Sequence, residues 1–545
     1  MRPSTVILFA VAVAACNSAY AQFWPDTVGY TQYDLQSSGS VGERIALDGA
    51  GGVHFTWMNA SPYPTIRGVA YNYRSPSGDW AGGMFVFQSG AGYPQLALTT
   101  DDRAVIVFHR SQPSGAESVY CAVDLASGFG YFDIFRPPIR IDSRVHLWPH
   151  VSRDISGRLH VTATHYPQYV GDPLLVMYTR SNDGGTTWVA PQAVDRVMTR
   201  STIVVASRVS GKVAIVYLRH LSVLLPLNND VYYIQSLDGA TWDFLGGRVN
   251  VTNYGGNSDS LWANTDCDAV YDYDDNLHII WTAQPLYGGI AQYPVRLFHY
   301  SVASGVITAI ASGDYSWPDS GCDFGQGNVQ VCKMSLGVHE PTNNICAIYT
   351  RFDSSDCSAG GYANGDIYAQ LSSDGGASWF SPLNLTNSRT PGCEAGDCDS
   401  DNWASLSERI NENLHIFYVN DKDAGSIPYG EGQVTDNPLL YIRVPVDLLG
   451  VSDEAAPPRD FVLRQNYPNP FNAATRIEFA LKEASHISLS IFDVRGDLIK
   501  TLIDKQLSPG NHSVVWDAEY LSSGTYYYSL KTVTGSETKK MILLK

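Results

Sequence analysis

DNLHIIWTA, residues 275–283, is a turn followed by an apolar strand with an aromatic residue near its end, and this pattern recurs seven times along the chain. The copies are Val53 to Asn59 (VHFTWMN), Ala104 to Arg110 (AVIVFHR), Leu159 to His165 (LHVTATH), Val213 to Arg219 (VAIVYLR), Leu277 to Ala283 (LHIIWTA), Ile345 to Arg351 (ICAIYTR) and Leu414 to Asn420 (LHIFYVN). They are spaced by roughly 50 to 70 residues, which suits propeller blades and not helical solenoids. Short strands precede and follow each copy, for instance 94–99 and 174–179. They are rich in Val, Ile, Tyr and Trp and are bounded by Gly, Asp, Asn or Pro. Four such strands make a blade, and closing the ring leaves only short, protected edges. The expected fold is all-β: a seven-bladed β-propeller over 22–450. A strand within 28–35 should close the ring by completing the last blade.

Working outward, Met1 to Ala21 has an early charge at Arg2, an apolar run and the small-residue exit Ala19-Tyr20-Ala21, as in a secretory signal peptide. Val13-Ala14-Ala15-Cys16 also fits a lipoprotein cleavage box, the lesser alternative. No later segment reaches the apolar length of a membrane span. Eight cysteines then follow, and an even count in an exported chain favours disulfides. Cys393 with Cys398 would close a small loop; Cys346 with Cys357 and Cys322 with Cys332 are local alternatives. The net charge of −18, from 54 acidic and 36 basic residues, argues against nucleic acid as a partner.

Three turns carry a sharper pattern. Ser181 to Trp188 (SNDGGTTW) and Ser372 to Trp379 (SSDGGASW) read S-x-D-G-G-x-[ST]-W, and Ser236 to Trp242 (SLDGATW) is one residue shorter. These resemble the Asp-box (BNR) repeats of sialidase-like propellers. In such turns the Asp (Asp183, Asp238, Asp374) caps backbone amides, Gly supplies positive φ, and the Trp (Trp188, Trp242, Trp379) packs between strands. The resemblance speaks for fold and little for activity. Sialidases have six blades, and Arg44-Ile45-Ala46 is a poor match to their FRIP segment.

His54, His160, His278 and His415 share one column of the repeat, in different blades, so hydrogen bonding within each blade is expected in preference to a shared metal. The column's last residue places Arg110, Arg219 and Arg351 on the face opposite the S-x-D-G-G turns. Three guanidinium groups converging there would suit a carboxylate, as in the arginine triad of sialidase-like enzymes. Pairing of each Arg with a local acid is the alternative. His165, Trp262 and Trp403 on that face suit stacking on sugar rings or protein contacts. Asp397, Asp399 and Asp401 alternate as in a calcium loop, with Asn402 where Gly is usual; calcium is the one candidate cofactor.

After a polar linker at 451–460, residues 461–545 contain short alternating strands that predict a small immunoglobulin-like β-sandwich. NYPNPFN (466–472), IFDVRGDLIKTL (491–502), SSGTYYYSL (522–530) and the terminal KKMILLK (539–545) resemble the type IX secretion C-terminal sorting domain of the Bacteroidetes group. The resemblance implies export through the periplasm of a Gram-negative bacterium, type IX secretion machinery as a partner, and a secreted or outer-membrane-surface protein. The leading expectation is a non-catalytic binding protein for glycans or surface macromolecules. A sialidase-like glycoside hydrolase acting on acidic glycans, its catalytic residues not readable from sequence, is the alternative.

Overall fold

The computed structural model describes residues 23 and 25–449, apart from 112–116, 140–145, 166–171, 223–224, 255–260, 288–289, 292 and 314–320. It also describes 461–545, apart from 464–465, 467–470, 482–483, 494–497, 509, 519 and 533–535. The proposed signal peptide and the 451–460 linker lie outside the described residues. The chain divides into two compact units, Met1–Gly450 and Val451–Lys545.

The larger unit is a ring of seven antiparallel blades, each made of an inner, a second, a third and an outer strand. The first blade comprises Ile45–Leu47, Val53–Asn59, Gly68–Arg74 and Met84–Phe87, and the second Ala91–Leu98, Ala104–Ser111, Glu117–Asp124 and Phe132–Phe135. The third comprises His146–Arg153, Leu159–His165, Leu174–Ser181 and Gln192–Val197; the fourth Thr202–Ala206, Val213–Ser222, Leu225–Ser236 and Val249–Asn250. The fifth comprises Leu261–Tyr271, Leu277–Tyr287, Arg296–Ser301 and Val306–Ser312; the sixth Val331–His339, Asn344–Cys357, Ala363–Ser372 and Leu383–Asn384. The seventh has Ser400–Leu406, Asn413–Asp421 and Asn437–Pro445, and its outer strand is Asp26–Thr31 from the other end of the chain. The N-terminal strand thus closes the ring as expected, without leaving an unpaired edge there. All seven repeated stretches are second strands, buried almost throughout because both faces of a blade are covered by neighbours.

Side chains of the inner strands stitch blade to blade. The Asp268 carboxyl accepts from the Leu336 amide, Ser335 Oγ from the Leu406 amide, and Ser405 Oγ from the Arg44 amide, which passes the chain of bonds from blade 5 round to blade 1. Each satisfies a backbone donor that the inner edge of a sheet would otherwise leave unpaired.

The histidine column behaves as its alternation demands. His54 bonds Tyr71 at 2.7 Å, His160 bonds Tyr178 at 2.8 Å, His278 bonds His299 at 2.9 Å and His415 bonds Tyr441 at 2.6 Å. Each reaches across to its own blade's third strand. Asp154 and Asp272 hold the far nitrogens of His160 and His278 at 3.1 Å. In the turns between third and outer strands, Asp183 accepts from the Thr187 amide at 2.8 Å and Asp374 from that of Ser378 at 2.9 Å. Trp188, Trp242 and Trp379 pack against the cores between their own blades and the preceding ones.

The smaller unit is a two-sheet sandwich. Phe461–Leu463, Ala474–Leu481 and Gly510–Asp517 form one sheet, and Leu498–Leu507, Ser485–Phe492, Gly524–Lys531 and Ser536–Leu543 the other. Between them lies a core that includes Phe479, Ile487, Trp516 and Tyr528.

Candidate functional site

The structure does not bring Arg110, Arg219 and Arg351 together. A residue at the end of a second strand faces the neighbouring blade and not the axis, because side chains stand perpendicular to their sheet. Arg110 lies 4.0 Å over Phe87 of blade 1 and 5.7 Å over Tyr120 of its own third strand. Arg219 lies 5.4 Å over Tyr232 and forms a 3.1 Å ion pair with Asp195 of blade 3. Arg351 lies 5.9 Å over Tyr368. The shared motif is therefore an arginine over a third-strand tyrosine, worth about 0.5–1 kcal/mol at such partly exposed positions.

Beneath each arginine is a second regularity. Directly paired aromatic rings of the second and third strands stack at 5.8–6.1 Å: Phe108 on Tyr120, Tyr217 on Tyr232, Trp281 on Phe298 and Tyr349 on Tyr368. Blades 1, 3 and 7 depart from it, with Trp57 paired with Ala70, Ala163 with Met177 and Tyr418 with Leu440.

The axis is crossed by the protein itself. Residues 33–44 leave the closing strand and run inward, almost wholly buried. Gln36 exchanges hydrogen bonds with the Met58 backbone at 3.0 and 2.9 Å; Gln95 donates to Val41 O, Cys267 N to Ser40 Oγ, and Ser405 Oγ to Gly42 O. Gly42, at φ +64°, has no room for a side chain: a Cβ would stand 1.9 Å from Gln95 Oε1 and 2.8 Å from His150 Nδ1. Blades 1, 2, 3, 5 and 7 thus all touch this segment. Arg44 at its end is fully buried and donates to Trp403 O; burial lowers its pKa to about 9. Where the segment enters, burial raises the Asp34 carboxyl to about 7. The same burial, with the Asp34 charge added, drives the Asp421 carboxyl well above its usual value, so the two do not both ionise near neutral pH.

Below the segment, a cavity of about 280 Å³ at the turn end of the axis is lined by Glu43, Asp102, Arg153, Arg208, Glu340 and Glu408, among others. Its charges pair off in part, Arg208 with Glu408 at 2.9 Å. A second cavity, about 290 Å³, opens beside blade 6 and is lined by Arg351, Asp353, Asp366, Tyr368, Asn384 and Arg389, among others. Tyr368 and Asn384 form a wall fixed by bonds from Asn384 to Asp366 at 2.8 Å and to the Tyr368 hydroxyl at 3.2 Å. Asp353 and Arg389 pair at 3.4 Å on its rim.

The other sequence candidates fall elsewhere. His165, Trp262 and Trp403 are only 3, 5 and 5% exposed, so they pack the ring and do not line an open face. Trp403 carries the Lys333 ammonium 4.3 Å above its ring. Asp399 pairs with Lys422 at 2.5 Å, while Asp401 is buried, accepts from Ser388 and Asn420, and is raised to about 7 by burial. Asp397, Asp399 and Asp401 are not gathered as ligands, and no group of three or more His, Cys, Asp or Glu suited to a metal occurs among the described residues. Asp397 and Asp399 precede the strand that begins at Ser400, so the one-face alternation of a strand does not align them with Asp401. Cys393 and Cys398 are bonded as expected, but the second disulfide is Cys322–Cys357 and neither local alternative, leaving Cys332 and Cys346 buried and free. Cys332 and Cys346 sit inside paired strands of blade 6, whereas Cys322 and Cys357 meet from its irregular edge.

Sequence reasoning missed the crossing segment and the irregularity of blade 1. The latter was visible: Ala70 occupies the column that holds Tyr120, Tyr232, Phe298 and Tyr368 in other blades.

Residues 465–544 match the family of secretion system C-terminal sorting domains. That domain is handled by type IX secretion machinery and directs the chain to the outside of the cell or to the outer-membrane surface. Among the described residues no helix is long and apolar enough to cross a membrane. No curated protein matches the sequence. Solved structures similar to the chain include a protein of unknown function from Dyadobacter fermentans, 8% identical over 78% of this chain and 99% of its own, with a TM-score of 0.41. A family GH93 α-L-arabinofuranosidase of Fusarium graminearum is 10% identical over 66% of this chain and 94% of its own, at 0.39. The Hadza microbial sialidase Hz136 is 12% identical over 78% and 92%, at 0.35. Likeness at this level carries no argument about activity. Fold and sorting domain together define the class: an exported, all-β, seven-bladed propeller.

Proposed function

We propose that the chain is a non-catalytic binding protein for glycans or surface macromolecules, displayed or released by type IX secretion, and that it holds acidic glycans in the groove beside blade 6. The groove itself carries the reading: guanidinium, amide and phenol groups line one cavity of about 290 Å³ around Arg351, while its two carboxylates, Asp353 and Asp366, are engaged by Arg389 and Asn384. Such a mixture recognises a sugar carboxylate together with its hydroxyls. The separation of Arg110, Arg219 and Arg351 speaks against the carboxylate triad on which the sialidase-like alternative depends. The test is the full chain on an array of acidic and neutral glycans, with fluorogenic sialosides assayed in parallel. Retention of acidic glycans, lost in Arg351→Ala at an unchanged melting temperature, supports the reading. Turnover of sialosides, or acidic-glycan binding that survives Arg351→Ala, overturns it.

A further inference from the structure

The departure of blade 1 from the stacked-ring pattern leaves a hollow at the seam where the ring closes. Trp57 of the second strand, Ala70 of the third and Phe85 of the outer strand lie in one row across the sheet, facing the closing strand of blade 7. In blades 2, 4, 5 and 6 the position of Ala70 holds a ring stacked on its second-strand partner. With a methyl group there instead, a cavity of about 250 Å³ opens between Gly29, Tyr30, Trp57, Asn59, Ala70 and Phe85. Gly29 keeps the closing strand close, since a Cβ at that position would stand 2.6 Å from Trp57 Cζ2.

Two side chains that line this hollow carry buried polar atoms with nothing to bond. Trp57 is 2% exposed, and its indole Nε1 has no acceptor among the described residues; Asn59 Oδ1, two residues on and facing the same way, has no donor. A buried donor or acceptor left unpaired costs about 1–3 kcal/mol, so their juxtaposition with a cavity points to a ligand that supplies both partners. The hydroxyls of a sugar do so, accepting from the indole N–H and donating to the amide oxygen. The walls match the rest of such a ligand. Tyr30 and Phe85, 58 and 45% exposed, offer aromatic faces at the mouth, and no charged side chain lines the cavity among the described residues.

We infer that the hollow is a binding site for one uncharged sugar ring, which takes the place that a tyrosine or phenylalanine fills in blades 2, 4, 5 and 6. Its volume is below the roughly 300–1,000 Å³ of drug-sized sites and suits a single ring at the end of a chain. The absence of charge sets it apart from the blade 6 groove, so it depends on neither that groove nor the reading built on it.

Saturation-transfer NMR on the full chain tests the inference, with the methyl glycosides of glucose, galactose, mannose and fucose as probes. The expected result is transfer to at least one of them in the wild type, insensitive to salt. Ala70→Tyr, which restores the missing ring, should abolish it, and Phe85→Ala should weaken the affinity roughly tenfold by removing one stacking face. Phe85 is half exposed, so this variant decides the matter if Ala70→Tyr folds poorly. No transfer to any neutral glycoside in the wild type, transfer that persists in a folded Ala70→Tyr, or an affinity unchanged in Phe85→Ala, overturns the inference. Acidic-glycan retention on the same samples reads the blade 6 groove separately, so the two sites fail independently.

Discussion

Blade 4 and blade 1 are built on the same repeat and use it in opposite ways. In blade 4 the column is full: Tyr217 stacks on Tyr232, Arg219 lies over Tyr232, and Asp195 of the preceding blade neutralises the guanidinium. In blade 1 the same three positions hold Trp57, Ala70 and Asn59, and the result is a cavity with an unpaired donor and an unpaired acceptor. A repeat that satisfies its own polar groups and fills its own volume leaves nothing for a ligand. One that withholds a ring and a charge leaves a shaped, polar vacancy.

The comparison is most easily broken by exchanging the two states. Removing a ring from a filled column, as in Trp281→Ala, should cost about 3–5 kcal/mol by loss of burial and creation of a cavity, read from the denaturation midpoint. Arg219→Ala should cost about 1 kcal/mol, since the ring contact is lost while Arg248 still holds Asp195 at 3.2 Å. Adding a ring to blade 1 by Ala70→Tyr should change stability by less than about 1 kcal/mol, because the space already exists; a loss above about 3 kcal/mol would mean an overpacked site and no hollow. Asn59→Ala should fall within about 0.5 kcal/mol of the wild type, as no partner of Oδ1 is forfeited.

The last effect is a slope and not a size, and concerns the inner strands, where the blades are stitched alike. Burial raises the Asp268 carboxyl to about 8, and burial works against any charge there. The unfolded chain ionises this group near 3.8 while the folded chain keeps its proton, so its contribution to stability falls as pH rises from 3.8 to about 8 and is level beyond. Asp268→Asn should therefore gain on the wild type across that window in melting temperature, and a pH-independent difference would show that the group is ionised throughout.

Much of the fold was legible because it rests on local periodicity. The seven second strands, their caps and turns, and the closing strand all follow from apolar runs bounded by turn residues. The histidine column was legible for the same reason, since its partners lie within one blade. The arginines were misleading. Their shared register is real, but register along a strand does not reveal which neighbour a side chain faces, and twisted blades turn that position toward the adjoining blade. The crossing segment at 33–44 was hidden because it has no periodicity; its path is set by bonds to residues hundreds of positions away, such as Ser405 and Cys267. The Cys322–Cys357 bond was hidden likewise, its ends meeting only after blade 6 has formed.

The most direct test of the account is a glycan array probed with the full chain and with Ala70→Tyr, Arg351→Ala and Arg110→Ala. Neutral glycans should be lost in Ala70→Tyr alone and acidic glycans in Arg351→Ala alone, while Arg110→Ala should retain both. Loss of acidic glycans in both arginine variants, with normal melting, would restore a shared carboxylate site and contradict the account.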